Sequence, residues 1–159
     1  MQKKHADAAV LLIKHGANVN LTNGRGFTAL LEACDANTTE LVDILLREGS
    51  NPNLLDGYPL QAAVQHSSVE IWKLLIRAGA DVDKRNYLNH ALWFGDYSMF
   101  MAVLKSGANV NKLNILGESP LQFACMNSNS RRFAIEPLLE YGADVLGGNC
   151  RTTLLHMAS

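Results

Sequence analysis

The sequence predicts an all-α solenoid of stacked helix-turn-helix units with hairpin fingers, and three observations carry that prediction. A five-residue phrase recurs: GANVN at 16–20, GSNPN at 49–53, GADVD at 79–83, GANVN at 107–111 and GADVL at 142–146, with its glycines 33, 30, 28 and 35 residues apart. Before each glycine runs an apolar stretch of helical period, as in LVDILLRE and IWKLLIRA. Apolar residues there recur at three and four, which places them on one helix face. A small residue holds a fixed place sixteen positions before the glycine, at Ala33, Ala63 and Ala91. An alanine there lets two helices approach closely. Fixed-period self-similarity of this kind marks repeat architectures.

Taken in order, residues 1–20 read as the second helix of a unit plus its corner. Residues 21–53, 54–83, 84–111 and 112–146 read as four full units, and 147–159 as the first helix of another. The glycine ends each longer helix because it enters the left-handed conformation without a Cβ clash. Thr28, Ser119 and Thr153 stand where helix N-caps belong, and Pro59 and Pro120 where the first helical position has no amide to lose. The fingers at 21–27 and 112–118 are full length. The third, LLDG, is shorter by three residues, and the fourth, before Asn86, by five. The fifth unit has two extra residues in MNSNSRRF, and Pro137 inside its second helix, where it should kink or delay that helix.

One helix pair cannot bury its own apolar face and must stack on copies of itself. The chain is expected to be a single repeat domain and a piece of a longer repeat protein. The apolar half-units at the two ends (Val10, Leu11, Ile13 and Leu154, Leu155, Met157) offer a second expectation for an otherwise monomeric chain. They could associate end to end, in an open, heterologous contact.

TLLHMA at 153–158, SPLQFA at 119–124 and the glycine phrases together resemble the ankyrin repeat, whose motifs are T-P-L-H-x-A and G-A-D-V-N. The resemblance covers essentially the whole chain. It implies that His156 bonds neighbouring backbone, with Gln61, Asn89 and Gln122 placed to do the same. It also implies protein binding on a concave side built from finger tips and the exposed positions of the short first helices. Carried over, those helix positions are Glu32, Asp35 and Ala36; Ala62, Gln65 and His66; His90, Trp93 and Phe94; and Phe123, Met126 and Asn127. The tips add Thr22, Gly24, Arg25 and Phe27, then Leu113, Ile115 and Leu116. The surface thus passes from acidic through polar to aromatic. Trp93, Phe94, Phe123, Met126, Ile115 and Leu116 are expected to form an apolar patch. The short fourth finger leaves an alternative open, in which Trp93 and Phe94 fold into the core.

Chemistry is sparse. The chain of 159 residues has a net charge of −1 and no Lys/Arg cluster beyond a pair, which argues against nucleic acid. No apolar run approaches the roughly 18 residues of a membrane span. Cys34, Cys125 and Cys150 have no metal spacing, and an odd, sparse count suits a reducing compartment, cytoplasmic or nuclear. Cys34 and Cys125 fit a core. The five histidines form no ligand motif, and NGRG and LGGN lack the GK[ST] of a phosphate loop. No enzyme and no cofactor are expected. The expected partner is an apolar or amphipathic protein segment. Its alternatives are service in a ubiquitin-ligase adaptor as substrate-recognition segment, or in a membrane protein as cytosolic scaffold.

Overall fold

A computed structural model describes residues 2–94, 96–126 and 133–145. The chain divides into two units, Met1–Lys84 and Arg85–Ser159. In the first lie α1 (Gln2–Lys14), α2 (Ala29–Asp35), α3 (Thr39–Arg47), α4 (Tyr58–Gln65) and α5 (Val69–Arg77). In the second lie α6 (Tyr87–Phe94), α7 (Tyr97–Lys105), α8 (Pro120–Met126) and α9 (Ile135–Glu140). Among the described residues there is no strand, only a single bridge between Thr22 and Thr28 at the base of a finger.

In the first unit the short helices α2 and α4 pack side by side, and the longer α3 packs between α1 and α5. Period-3.6 apolar positions supply the core: Val42 and Leu45 on α3, and Ile71, Trp72 and Leu75 on α5, are at most 2% exposed. Burying each such side chain contributes about 1.5–3 kcal/mol. In the second unit α6 packs on α7 and α8, and α8 on α9. Phe133 meets Tyr97 and Phe100 edge to face, at centroid distances of 5.5 and 5.7 Å. The repeating alanines Ala33, Ala63, Ala91 and Ala124 are all buried, as close helix approach requires.

Thr28 caps α2 by accepting from the Leu31 N–H at 3.2 Å. Ser119 and Gln122 form a reciprocal box. The Ser119 hydroxyl accepts from the Gln122 N–H, and the Gln122 side chain accepts from the Ser119 N–H at 2.9 Å. Gln122 therefore does bond backbone. Asn89 does not: it is 7% exposed, and neither amide atom has a hydrogen-bond partner. The asparagine side chain is one methylene shorter than glutamine. Cys34 is fully buried, whereas Cys125 is only half-buried, which corrects its placement in the core. Pro137 sits in the first turn of α9, which spans six residues where α3, α5 and α7 span nine. Proline has thus delayed this helix, standing where its missing N–H costs nothing.

The repeated phrase is a corner in which nearly every letter has a task. Gly16, Gly49, Gly79, Gly107 and Gly142 all take φ between 83° and 87°. The third letter bends the chain by accepting, with its side chain, the N–H two residues on: Asn18 from Asn20, Asn51 from Asn53, Asp81 from Asp83 and Asn109 from Asn111. The fifth letter reaches the next corner. Asn53 donates to the Gly79 carbonyl at 2.9 Å and accepts from the Asp81 N–H at 2.8 Å. Asn20 holds Gly49 and Asn51 in the same way, and Asn111 holds Gly142 and Asp144.

Candidate protein-binding surfaces

In the second unit the full finger at 112–118 is closed by Asn114. Its backbone N–H donates to Glu118 O at 2.9 Å, and its side-chain oxygen accepts from the Leu116 and Glu118 N–H groups. That hairpin carries Ile115 and Leu116 at its tip, 101% and 73% exposed, with Leu113 at 44%. The Leu113 carbonyl accepts from the Asn86 amide at 2.8 Å, which ties the finger to the start of α6.

Trp93 and Phe94 end α6 and are 63% and 48% exposed, so neither folds into the core. Met126 ends α8 and is also exposed. Phe123 corrects the expected patch: it is 9% exposed, with its ring 6.3 Å from Trp93 and tilted 37°. It occupies the helix position just before the packed alanine, which among the described residues is at least half-buried each time, as Glu32, Ala62 and His90 also show. Phe123 therefore supports Trp93 from beneath. His90 is half-buried with no partner at Nδ1, and burial, with Arg85 nearby, holds its pKa below the usual imidazole range. Asn127 lies outside the described residues, as do His156, Cys150 and the apolar residues of 154–157.

In the first unit the finger at 21–27 is built like its counterpart, with Asn23 in the place of Asn114. Arg25 folds back on the finger. It donates to Glu32 Oε1 at 2.9 Å, and its guanidinium lies 5.7 Å from the Phe27 ring centroid. The third finger, cut to Leu54–Gly57, turns by placing Leu55, Asp56 and Gly57 in succession at φ of 58°, 52° and 79°. Between these two fingers and helices α2 and α4 opens a groove of about 460 Å³. Exposed Phe27 and Tyr58, buried Leu31 and Ala62, and the carboxylates of Asp35 and Asp56 line it. Gln65, expected at the concave surface, lines it too, whereas His66 is exposed outside it.

Sequence reasoning missed two features: the asparagine links between corners and the aromatic character of this groove. The signal for the first was the fifth letter of the phrase, asparagine at 20, 53 and 111. For the second it was Tyr58, standing where a capping threonine would precede Pro59. At the start of the chain, Leu11 and Leu12 of α1 are exposed while Val10 and Ile13 are half-buried. The His15 ring bonds the Leu11 carbonyl at 2.8 Å, a satisfied helix end. Among the described residues no helix is long and apolar enough to cross a membrane, and no group of three His, Cys, Asp or Glu is placed to hold a metal ion.

A family model described as ankyrin repeats (3 copies) matches residues 1–86. A putative ankyrin repeat protein, L371 of Acanthamoeba polyphaga mimivirus, is 34% identical over 89 residues, covering 54% of this chain and 12% of its own. The transient receptor potential channel pyrexia of Drosophila melanogaster is 32% identical over 124 residues, covering 72% of this chain and 13% of its own. The chain thus spans about an eighth of the length of these relatives. The crystal structure of the human ASB11 ankyrin repeat domain superposes with a TM-score of 0.76 at 27% identity, over 99% of this chain and 73% of that one. Its helices, corners and fingers form an all-α solenoid of stacked repeats, a fold that generally serves as a non-catalytic protein–protein interaction module, and the chain belongs to the ankyrin-repeat family.

Proposed function

We propose that the chain is a non-catalytic interaction module whose partner, an apolar or amphipathic protein segment, docks on the concave side of the fourth and fifth repeats. Trp93, Phe94, Leu113, Ile115, Leu116 and Met126 supply the contact, and Phe123 and His90 support it from below. Within the first unit, Gln65, His66 and Arg25 are separate candidate partner contacts. The observation that carries this reading is the exposure of Trp93 and Ile115, an indole and a β-branched side chain left in water on a finger-and-helix surface. Large exposed aromatics are costly to solvate and dominate interaction hot spots.

The experiment places a photo-crosslinking amino acid at Ile115 and, as a control, at Lys73 on the outer helix α5. Partner adducts should form from Ile115 alone. In the partner complex, Trp93→Ala should weaken binding by about 2 kcal/mol or more, the hot-spot range, with the circular dichroism unchanged. Equal adducts from both positions, or full affinity in Trp93→Ala, would remove the proposal. Trp72 is fully buried, so a blue shift of tryptophan emission on binding, lost in Trp93→Phe, gives a second readout.

A further inference from the structure

The groove of the first unit has a chemistry unlike that of the apolar surface on the later repeats. Its lining holds two carboxylates and no lysine or arginine. Asp35 stands at the end of α2, exposed and without an ion pair among the described residues. Asp56 stands on the left-handed turn of the third finger, where Lys84 approaches at 3.4 Å. Both members of that pair are exposed, and such pairs are weak and easily exchanged. Phe27 and Tyr58 present aromatic rings, and Leu31 and Ala62 present apolar surface at the bottom. Gln61 and Gln65 place amide groups in the lining. The volume of about 460 Å³ falls in the range of clefts that hold a whole ligand group.

We propose that this groove receives the arginine side chain of a protein partner, its methylene stem over Leu31 and Ala62 and its guanidinium between the aromatic rings and the carboxylates of Asp35 and Asp56. The chain performs the same recognition on itself at the adjoining edge. Arg25 stacks on Phe27 and bonds the Glu32 carboxylate, so an aromatic face and an acidic group already combine there to hold a guanidinium. Arginine fits better than lysine. Its planar fork of five donors can meet two separated carboxylates and an amide oxygen while stacking on a ring, whereas an ammonium acts as a compact, strongly hydrated point charge. The proposal concerns the first unit alone and stands whether or not the later repeats bind an apolar segment.

The test titrates the ¹⁵N-labelled chain with an acetylated, amidated pentapeptide bearing a central arginine between alanines. Peptides with citrulline, lysine or leucine at the centre serve for comparison. Saturable shift changes are expected for amides of 26–35 and 55–65. Citrulline keeps the shape and loses the charge, so it should bind about tenfold more weakly, as should the arginine peptide to Asp35→Asn, the loss of one charge-assisted contact. Trp93→Ala should leave the titration unchanged, which separates this site from the apolar surface. Tyr58→Leu, which keeps apolar bulk without the ring, should weaken arginine more than leucine. Citrulline, lysine or leucine binding as tightly as arginine, an unaffected Asp35→Asn, shifts centred on 93–126, or no saturation would each overturn the proposal.

Discussion

Replacing Asn53 tests whether the side-chain link between corners holds successive repeats together. In the folded chain Asn53 makes two hydrogen bonds to the next corner, 2.9 Å to the Gly79 carbonyl and 2.8 Å from the Asp81 N–H. Asn53→Ala removes both. Each such bond contributes about 0.5–1.5 kcal/mol net. The corner is exposed, so water can replace part of what is lost, and the expected cost is about 1–2 kcal/mol in total. For a chain of 159 residues this corresponds to a fall in Tm of about 2–8 °C. Asn53→Asp keeps an oxygen for the Asp81 N–H but turns a second oxygen on the Gly79 carbonyl and sets a negative charge beside Asp81. It should destabilise at least as much as alanine, and more at low salt. Urea titration followed by circular dichroism measures both, with the exposed Lys73→Ala as control. An Asn53→Ala midpoint indistinguishable from that control would refute the reasoning, because the link would then be ornamental.

The corners suggest their own improvement at Ser50, whose buried hydroxyl has no partner and whose counterparts at 17, 80, 108 and 143 are all alanine. Ser50→Ala should stabilise the chain by about 1 kcal/mol in the same urea titration, by removing an unsatisfied buried group. Ser67 sits at φ 50° between α4 and α5, so Ser67→Gly should gain about 0.5–1 kcal/mol by relieving left-handed strain, read as a higher Tm. Burial, with Asp35 adding to it, pushes the Cys34 thiol up to about 12. It should therefore resist iodoacetamide at pH 8.5 until urea unfolds the chain, while Cys125 reacts earlier. The neutral form of His90 is favoured on folding, chiefly by burial and then by Arg85. Its contribution is present above the ordinary value of 6.5 and is lost as pH falls through the lower folded value. Between pH 7 and 5 the wild-type Tm should drop more than that of His90→Gln.

Fold was legible wherever the sequence repeats itself. Glycine, alanine and the apolar period of the helices serve the same local geometry in every copy, so five copies reinforce one reading. The candidate surface was legible only in part, because it lies where the copies differ. Trp93 and Phe94 could be placed on a helix position but not assigned to water or core, since the length of a finger does not say how neighbouring side chains rearrange. Phe123 was expected at the concave surface, yet the position before the packed alanine is at least half-buried at Glu32, Ala62 and His90 as well, and its ring lies against Trp93. The groove of the first unit escaped notice because Phe27 and Tyr58 are far apart in sequence and meet only through the stacking of α2 on α4. Its carboxylates were visible one at a time, never as a pair.

Because the corners link successive repeats directly, the fingers and inner loops are freer to change than the helices and corners. The link from Asn20 to the corner at Gly49 has nearly the same geometry as that from Asn53 to Gly79, although a seven-residue finger precedes α2 and a four-residue turn precedes α4. The link from Asn111 to Gly142 survives two inserted residues between α8 and α9. Fingers and inner loops can thus be lengthened, shortened or rewritten for a new partner without disturbing how one repeat meets the next. For an engineer, the corners are the fixed joints of the frame, and the segments between them are where new specificity can be installed.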